Sequence, residues 1–128
     1  MGQGCTKSSY FHDLSKVEFT PAQKALIQQQ IRENPVMVYS KDYCPHCISA
    51  KKVFRIGSVP AKVREINLEE DGLVTQAILY NITGQKTVPS IFIRGQHIGG
   101  NSDLKAMAAS GELIEKLEDA GIPHSFPV

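Results

Sequence analysis

Apolar side chains recur along this chain in short runs whose spacing alternates between helical and extended periods. Ala22, Leu26, Ile27 and Ile31 fall on one helical stripe, with Thr20 placed to cap and Pro21 suited to the first helical position. That stripe stops before Asn34-Pro35 and predicts a first helix. "PVMVYS" is a nearly continuous apolar run, the pattern of a strand covered on both faces. From Pro45, the positions Cys47, Ala50, Val53 and Phe54 share a helical face, Lys51 and Lys52 point away from it, and Gly57 closes the helix. "AKVREINL" alternates like a half-buried strand. Asp71-Gly72 opens a third helix through Leu73, Ala77, Ile78 and Ile82, ending at Gly84. "PSIFIRGQHIGG" reads as a hairpin turning around Gly95 and closed by Gly99-Gly100. Two helices follow, 101–109 and 112–120, broken near Gly111.

This order predicts an α/β fold with helices on both faces of the sheet, its first two strands joined by a crossover and therefore parallel. The expected division is a flexible arm over 1–19, one domain over 20–121 and a proline-containing tail over 122–128. A chain of 128 residues holds one compact core rather than two.

Composition narrows the classes of function. With 41% hydrophobic and 21% charged residues, the chain is ordinary for a globular protein. A net charge of +1 argues against a general nucleic-acid binder, which needs a basic face. Three cysteines are too few, and odd in number, for a secreted disulfide scaffold, so a reducing, cytoplasmic setting is expected. Neither a membrane-spanning stretch nor a secretory signal is evident, and any membrane contact must come from something added.

The chemistry concentrates in "KDYCPHC", where two cysteines stand at a strand-to-helix junction. A C-x-x-C pair can be half of a zinc site, a static disulfide or a working redox pair. Zinc generally takes four ligands, and a second thiol knuckle is missing: Cys5 lies in the arm, while His12, His97 and His124 show no paired spacing. A static disulfide across three residues encloses little chain entropy. The redox reading fits best. Cys44, just before Pro45, would place its sulfur where the unpaired N–H groups of a helix start favour an anion. The thiolate is the attacking species, and Lys41 and His46 can lower the thiol pKa in the same direction. Cys47 lies one helical turn on and can resolve a mixed disulfide, with Cys44 expected to be the exposed partner.

"KDYCPHC", "TVPSIFI" and "GGNSDL", in that order and spacing, resemble a dithiol glutaredoxin of the thioredoxin fold. The likeness covers about residues 20–120. It implies a central four-stranded mixed sheet flanked by helices on both faces, and glutathione as co-substrate; from the ligand spacing above, no metal is expected. It also implies a glutathione site. Lys41 would pair with a carboxylate of the tripeptide, with Gln85 and Lys86 as a second anchor. In Thr87-Val88-Pro89, Pro89 would be the family's cis-proline and Val88 would offer its backbone to the ligand as an added strand does. Gly100, Asn101, Ser102 and Asp103 would receive the γ-glutamyl end at a helix start, Asn101 capping the helix and Asp103 accepting from the ligand ammonium. His46 stands where many dithiol glutaredoxins carry an aromatic residue. A protonated imidazole there would stabilise the Cys44 thiolate and make the disulfide more oxidising.

"MGQGCT" matches an N-myristoylation pattern at Gly2. One acyl chain gives only marginal binding and the arm is not basic, so palmitoylation of Cys5 is the candidate second signal for attachment to a cytosolic membrane face.

The expected function is therefore a glutathione-dependent thiol–disulfide oxidoreductase acting as a monomer on glutathionylated or disulfide-bonded proteins. Two alternatives are a module binding a glutathione-ligated iron–sulfur cluster, against which Pro45 weighs, and a membrane-tethered redox adaptor.

Overall fold

The computed structural model describes residues 13–127, and the expected acylation sites Gly2 and Cys5 lie outside them. Its elements are α1 (Pro21–Glu33), β1 (Val36–Ser40), α2 (Pro45–Ile56), β2 (Lys62–Glu65), α3 (Gly72–Thr83), β3 (Ser90–Ile93), β4 (Gln96–Gly99), α4 (Asn101–Ser110) and α5 (Glu112–Asp119).

Each element starts and stops for local reasons. At α1, the Thr20 hydroxyl accepts the Gln23 N–H while the Gln23 side chain returns to the Thr20 N–H, a reciprocal cap that also places Pro21 at its first turn. α3 ends at Gly84, whose φ of 79° suits a residue without Cβ. The β3–β4 hairpin turns through Arg94 and Gly95, both at positive φ.

The strands form one mixed sheet in the order β2-β1-β3-β4. β1 runs parallel to β2, with Val38 opposite Val63, and antiparallel to β3, with Val38 opposite Ile91. All five residues of β1 are buried because the strand is central and covered on both faces. Its alternation divides the core. Met37 and Tyr39 join Ile27, Ile31, Ile78 and Leu79 under α1 and α3. Val36 and Val38 join Ala50, Phe54, Leu104, Leu113 and Leu117 under α2, α4 and α5. The expected mixed sheet with helices on both faces is thus observed.

Four sequence expectations need correction. Ala22 and Leu26 are exposed, Leu26 at 65%, because α1 meets the sheet along the narrower seam of Ile27 and Ile31. The strand expected through "AKVREINL" ends at Glu65 and turns into a short 3-10 segment over Ile66–Leu68. There the chain bends so tightly that a Cβ on Gly72 would lie 1.8 Å from the Ile66 carbonyl oxygen. Within the expected arm, Leu14 is buried and Phe19 packs on the core beside α1. Part of the expected C-terminal tail packs on the domain. Ile122 is buried with Leu117, Phe126 packs on the same cluster, and the Ser125 N–H donates to the Gly57 carbonyl at 2.7 Å.

Candidate active site

Cys44 is the N-cap of α2, with extended backbone (φ −85°, ψ 120°), and Pro45 occupies the first helical position where a missing N–H costs nothing. Its carbonyl accepts the Ile48 N–H at 3.0 Å, and its own N–H donates to the Lys41 carbonyl at 3.1 Å. The Cys44 sulfur lies 4.0 Å from the Val88 carbonyl oxygen. The Val88–Pro89 bond is cis. A sequence separation of 44 residues is closed by pairing β1 with β3, which carries the Val88–Pro89 corner to the mouth of α2.

The expectation that Cys44 is exposed does not hold: both Cys44 and Cys47 have 0% exposure. The cause is tertiary, since Val88 and the two cysteines belong to one buried cluster. Exposure therefore cannot separate the roles of the two sulfurs. Their positions differ: Cys44 stands at the helix mouth and Cys47 one turn inside. Cys47 is a free thiol. Burial pushes the Cys47 thiol pKa up, against an opposing hydrogen bond from the Lys41 N–H at 3.4 Å.

Lys41 is buried, and desolvation lowers its pKa below the ordinary lysine value, partly offset by the Cys47 sulfur. His46, at the second position of α2, is half-buried.

The second and third motifs meet the first. A Cβ on Gly100 would sit 3.6 Å from the Pro89 carbonyl oxygen and 3.8 Å from Gln85 Nε2, so the start of α4 abuts the cis-proline corner. Gln85, expected as a ligand anchor, donates from Nε2 to the carbonyls of Thr87 at 2.8 Å and Pro89 at 2.9 Å. Its amide shapes the corner. The Lys86 ammonium lies 5.5 Å over the Tyr80 ring, while its carbonyl accepts from Gln76 Nε2 at 2.8 Å. Asn101, expected to cap, is instead the first residue of α4, and Gly100 is the N-cap. Asp103 Oδ2 accepts the Gly100 N–H at 2.9 Å, completing that cap. Ser102 is exposed, whereas Asn101 is buried with its side-chain oxygen lacking a hydrogen bond.

Sequence reasoning overlooked Gln76, Ser40, Lys51 and Glu65. Gln76 is a buried polar residue within the apolar face of α3, and that interruption was the available signal. Lys51, expected to point away from the core, reaches Glu65 at 2.6 Å. Among the described residues, no group of three or more His, Cys, Asp or Glu is placed to hold a metal ion, and no helix is long and apolar enough to cross a membrane.

A C-x-x-C pair at the β1–α2 junction, facing a cis-proline at the head of β3 in a four-stranded mixed sheet, defines a thioredoxin-like fold with a thiol–disulfide site. Residues 36–98 match the glutaredoxin family model. The sequence is 44% identical over 100 residues to glutaredoxin-2 of Schizosaccharomyces pombe, spanning 78% of this chain and 91% of that relative. It is 45% identical over 96 residues to glutaredoxin-1 of Saccharomyces cerevisiae, spanning 72% and 87%. A buckwheat glutaredoxin–glutathione complex superposes with a TM-score of 0.76 at 36% identity, over 82% of this chain and 99% of that one. The chain belongs to the glutaredoxin family.

Proposed function

We propose that this glutaredoxin reduces protein–glutathione mixed disulfides through Cys44 and protein disulfides through Cys44 and Cys47 together. The observation that carries the reading is the Cys44 sulfur at the N-cap of α2, 4.0 Å from the Val88 carbonyl. The helix start favours a thiolate there. The extended backbone at Val88 offers a peptide-like thiol a strand to pair with.

Once reduced, Cys44 attacks the glutathionyl sulfur. A Cys44–glutathione disulfide forms, the protein–glutathione bond breaks, and the protein leaves as a thiolate that takes a proton from solvent. A second glutathione thiolate then attacks the glutathionyl sulfur, releases Cys44 and carries glutathione away as its disulfide. For a protein disulfide, the Cys44–protein bond is instead broken by Cys47. The glutathione-bound buckwheat relative supports a tripeptide site along Lys41, Gln85, Lys86, Thr87, Val88, Pro89 and the start of α4 at Gly100, Asn101, Ser102 and Asp103.

The test is turnover of a small glutathione mixed disulfide beside reduction of a protein disulfide. Cys44→Ser should lose both, whereas Cys47→Ser should keep much of the first and lose the second; equal loss of both reactions in the two variants overturns the assignment. The Gly2 and Cys5 pattern supports a further reading in which dual acylation holds the enzyme at a cytosolic membrane face. Mass spectrometry of protein from its native cells, finding Gly2 free or acetylated, would end that reading.

A further inference from the structure

Cys47 must lose a proton before it can attack a Cys44 mixed disulfide, yet its sulfur has no contact with solvent. The groups around it are specific. Ser40 ends β1 and Glu65 ends β2, and the two are partners in the parallel register, so their side chains stand side by side. Lys51 follows Cys47 by four residues on α2 and therefore shares its helical face. The Lys51 ammonium binds Glu65 Oε2 at 2.6 Å. Glu65 Oε1 and Ser40 Oγ are both buried, and neither has a hydrogen-bond partner.

Two buried polar atoms without partners are costly, and a catalytic role is one explanation for such atoms. The cluster also acts on the sulfur. Burial raises the Cys47 pKa and Glu65 raises it further, while the Lys41 N–H, the Ser40 hydroxyl and the Lys51 charge lower it. The Cys47 sulfur in turn favours the charged form of Lys41. Ser40 thus lies close enough to influence the thiol, although its hydroxyl makes no hydrogen bond of normal geometry in the resting arrangement.

Resting on the reading of Cys47 as the resolving thiol, we propose that Glu65, with the Ser40 hydroxyl as the link, takes the proton from Cys47 as that sulfur attacks the Cys44 mixed disulfide. Ser40 Oγ receives the Cys47 proton and passes its own to Glu65 Oε1. The Cys44–Cys47 bond forms, the bond from Cys44 to the substrate sulfur breaks, and the substrate leaves as a thiolate. Cys47 is oxidised and the substrate sulfur reduced. When glutathione later reopens the disulfide, Glu65 returns the proton. Before sulfur–sulfur bond formation, transfer moves one negative charge from carboxylate to sulfur beside the same Lys51 ammonium. Up to the attack the partly buried cluster therefore keeps its net charge; after it, the negative charge leaves on the substrate thiolate and the partly exposed Lys51 ammonium is left to solvent.

The experiment mixes reduced, full-length Cys5→Ser protein with a stoichiometric amount of 5,5′-dithiobis(2-nitrobenzoate), whose disulfide transfers 2-nitro-5-thiobenzoate to Cys44 and releases the other half, and then follows release of the second coloured thiolate in a single turnover across pH. Relative to this parent, Glu65→Gln and Ser40→Ala should each slow release at neutral pH by about ten-fold or more and move the rate profile to higher pH. A purely electrostatic role predicts the opposite for Glu65→Gln, because an unopposed Lys51 would ease ionisation of Cys47 and speed release. Parent-like kinetics in either variant, or faster release in Glu65→Gln, overturns the proposal. Should Glu65→Gln fail to fold, Ser40→Ala, which removes only a hydroxyl, decides by the same two readouts. Cys47→Ser is the separate control: release at the parent rate there would refute Cys47 as the resolving thiol, a different failure from that of Glu65.

Discussion

The backbone of Lys41 holds both cysteines: its carbonyl accepts the Cys44 N–H at 3.1 Å and its N–H donates to the Cys47 sulfur at 3.4 Å. One residue at the end of β1 therefore sets the position of the helix mouth and contributes a donor to the sulfur one turn inside. Both contacts use the main chain. Substitution of the Lys41 side chain can thus test ligand binding while leaving the turn in place.

In Lys41→Met, the KM for a small glutathione mixed disulfide should rise by about ten- to a hundred-fold, the effect of losing one charged hydrogen bond of about 1.5–3 kcal/mol. The pH dependence follows from the lowered Lys41 pKa. In the proposed site the ammonium would be the binding form, so affinity should fall as pH rises through that value, earlier than for an exposed lysine. Steady-state kinetics toward alkaline pH should show this limb in the wild type and lack it in Lys41→Met. An identical limb in both would rule out Lys41 as its source.

Gln85 gives a contrasting case. Its amide holds the Thr87 and Pro89 carbonyls, so Gln85→Ala should cost about 2 kcal/mol in denaturant unfolding as well as raising KM. A rise in KM with unchanged stability would return Gln85 to the role of a simple ligand contact.

These two residues mark what the sequence could and could not reveal. Periodicity and local chemistry found the elements, because the Thr20 cap, the apolar run from Val36 to Tyr39 and the turn around Gly95 depend on near neighbours. The order of the three motifs also indicated what would converge. Hidden were contacts between distant strands: Val88 closing over Cys44, Lys51 turning to Glu65, and Phe126 returning to Gly57. A polar residue such as Gln85 looks alike in sequence whether it faces a ligand or a carbonyl of its own loop.

His97 should make the fold sensitive to acid. Its ring lies 5.0 Å from that of Phe92, and its Nε2 is 3.2 Å from the Ser90 hydroxyl. Burial lowers its pKa below 6.5, with Asp103 opposing. Between that lowered value and 6.5, the unfolded chain binds more protons than the folded one, so stability increases with pH there. The full stability is present above 6.5, declines as pH falls through the window, and is lost in full below the folded pKa. Thermal unfolding at about pH 7 and about pH 5 should show a smaller drop in His97→Gln than in the wild type. An equal drop would place the acid sensitivity elsewhere.

The C-terminal segment is bound by a missing side chain. A Cβ on Gly57 would lie 2.1 Å from the Phe126 ring, and the Gly57 carbonyl accepts the Ser125 N–H at 2.7 Å. Because the obstructing atoms are the far end of Phe126, Gly57→Ala should lift this segment off the core and leave the α2 backbone in place. The expected cost is about 1–3 kcal/mol, with Ser125 and Phe126 amides exchanging faster with solvent. Phe126→Ala removes the obstruction along with its packing, so Gly57→Ala should add little in that background. A double-mutant cycle checks this coupling. Additive costs would mean that alanine disturbs the end of α2 itself, and the segment would then be a passenger on the fold and not a part of its core.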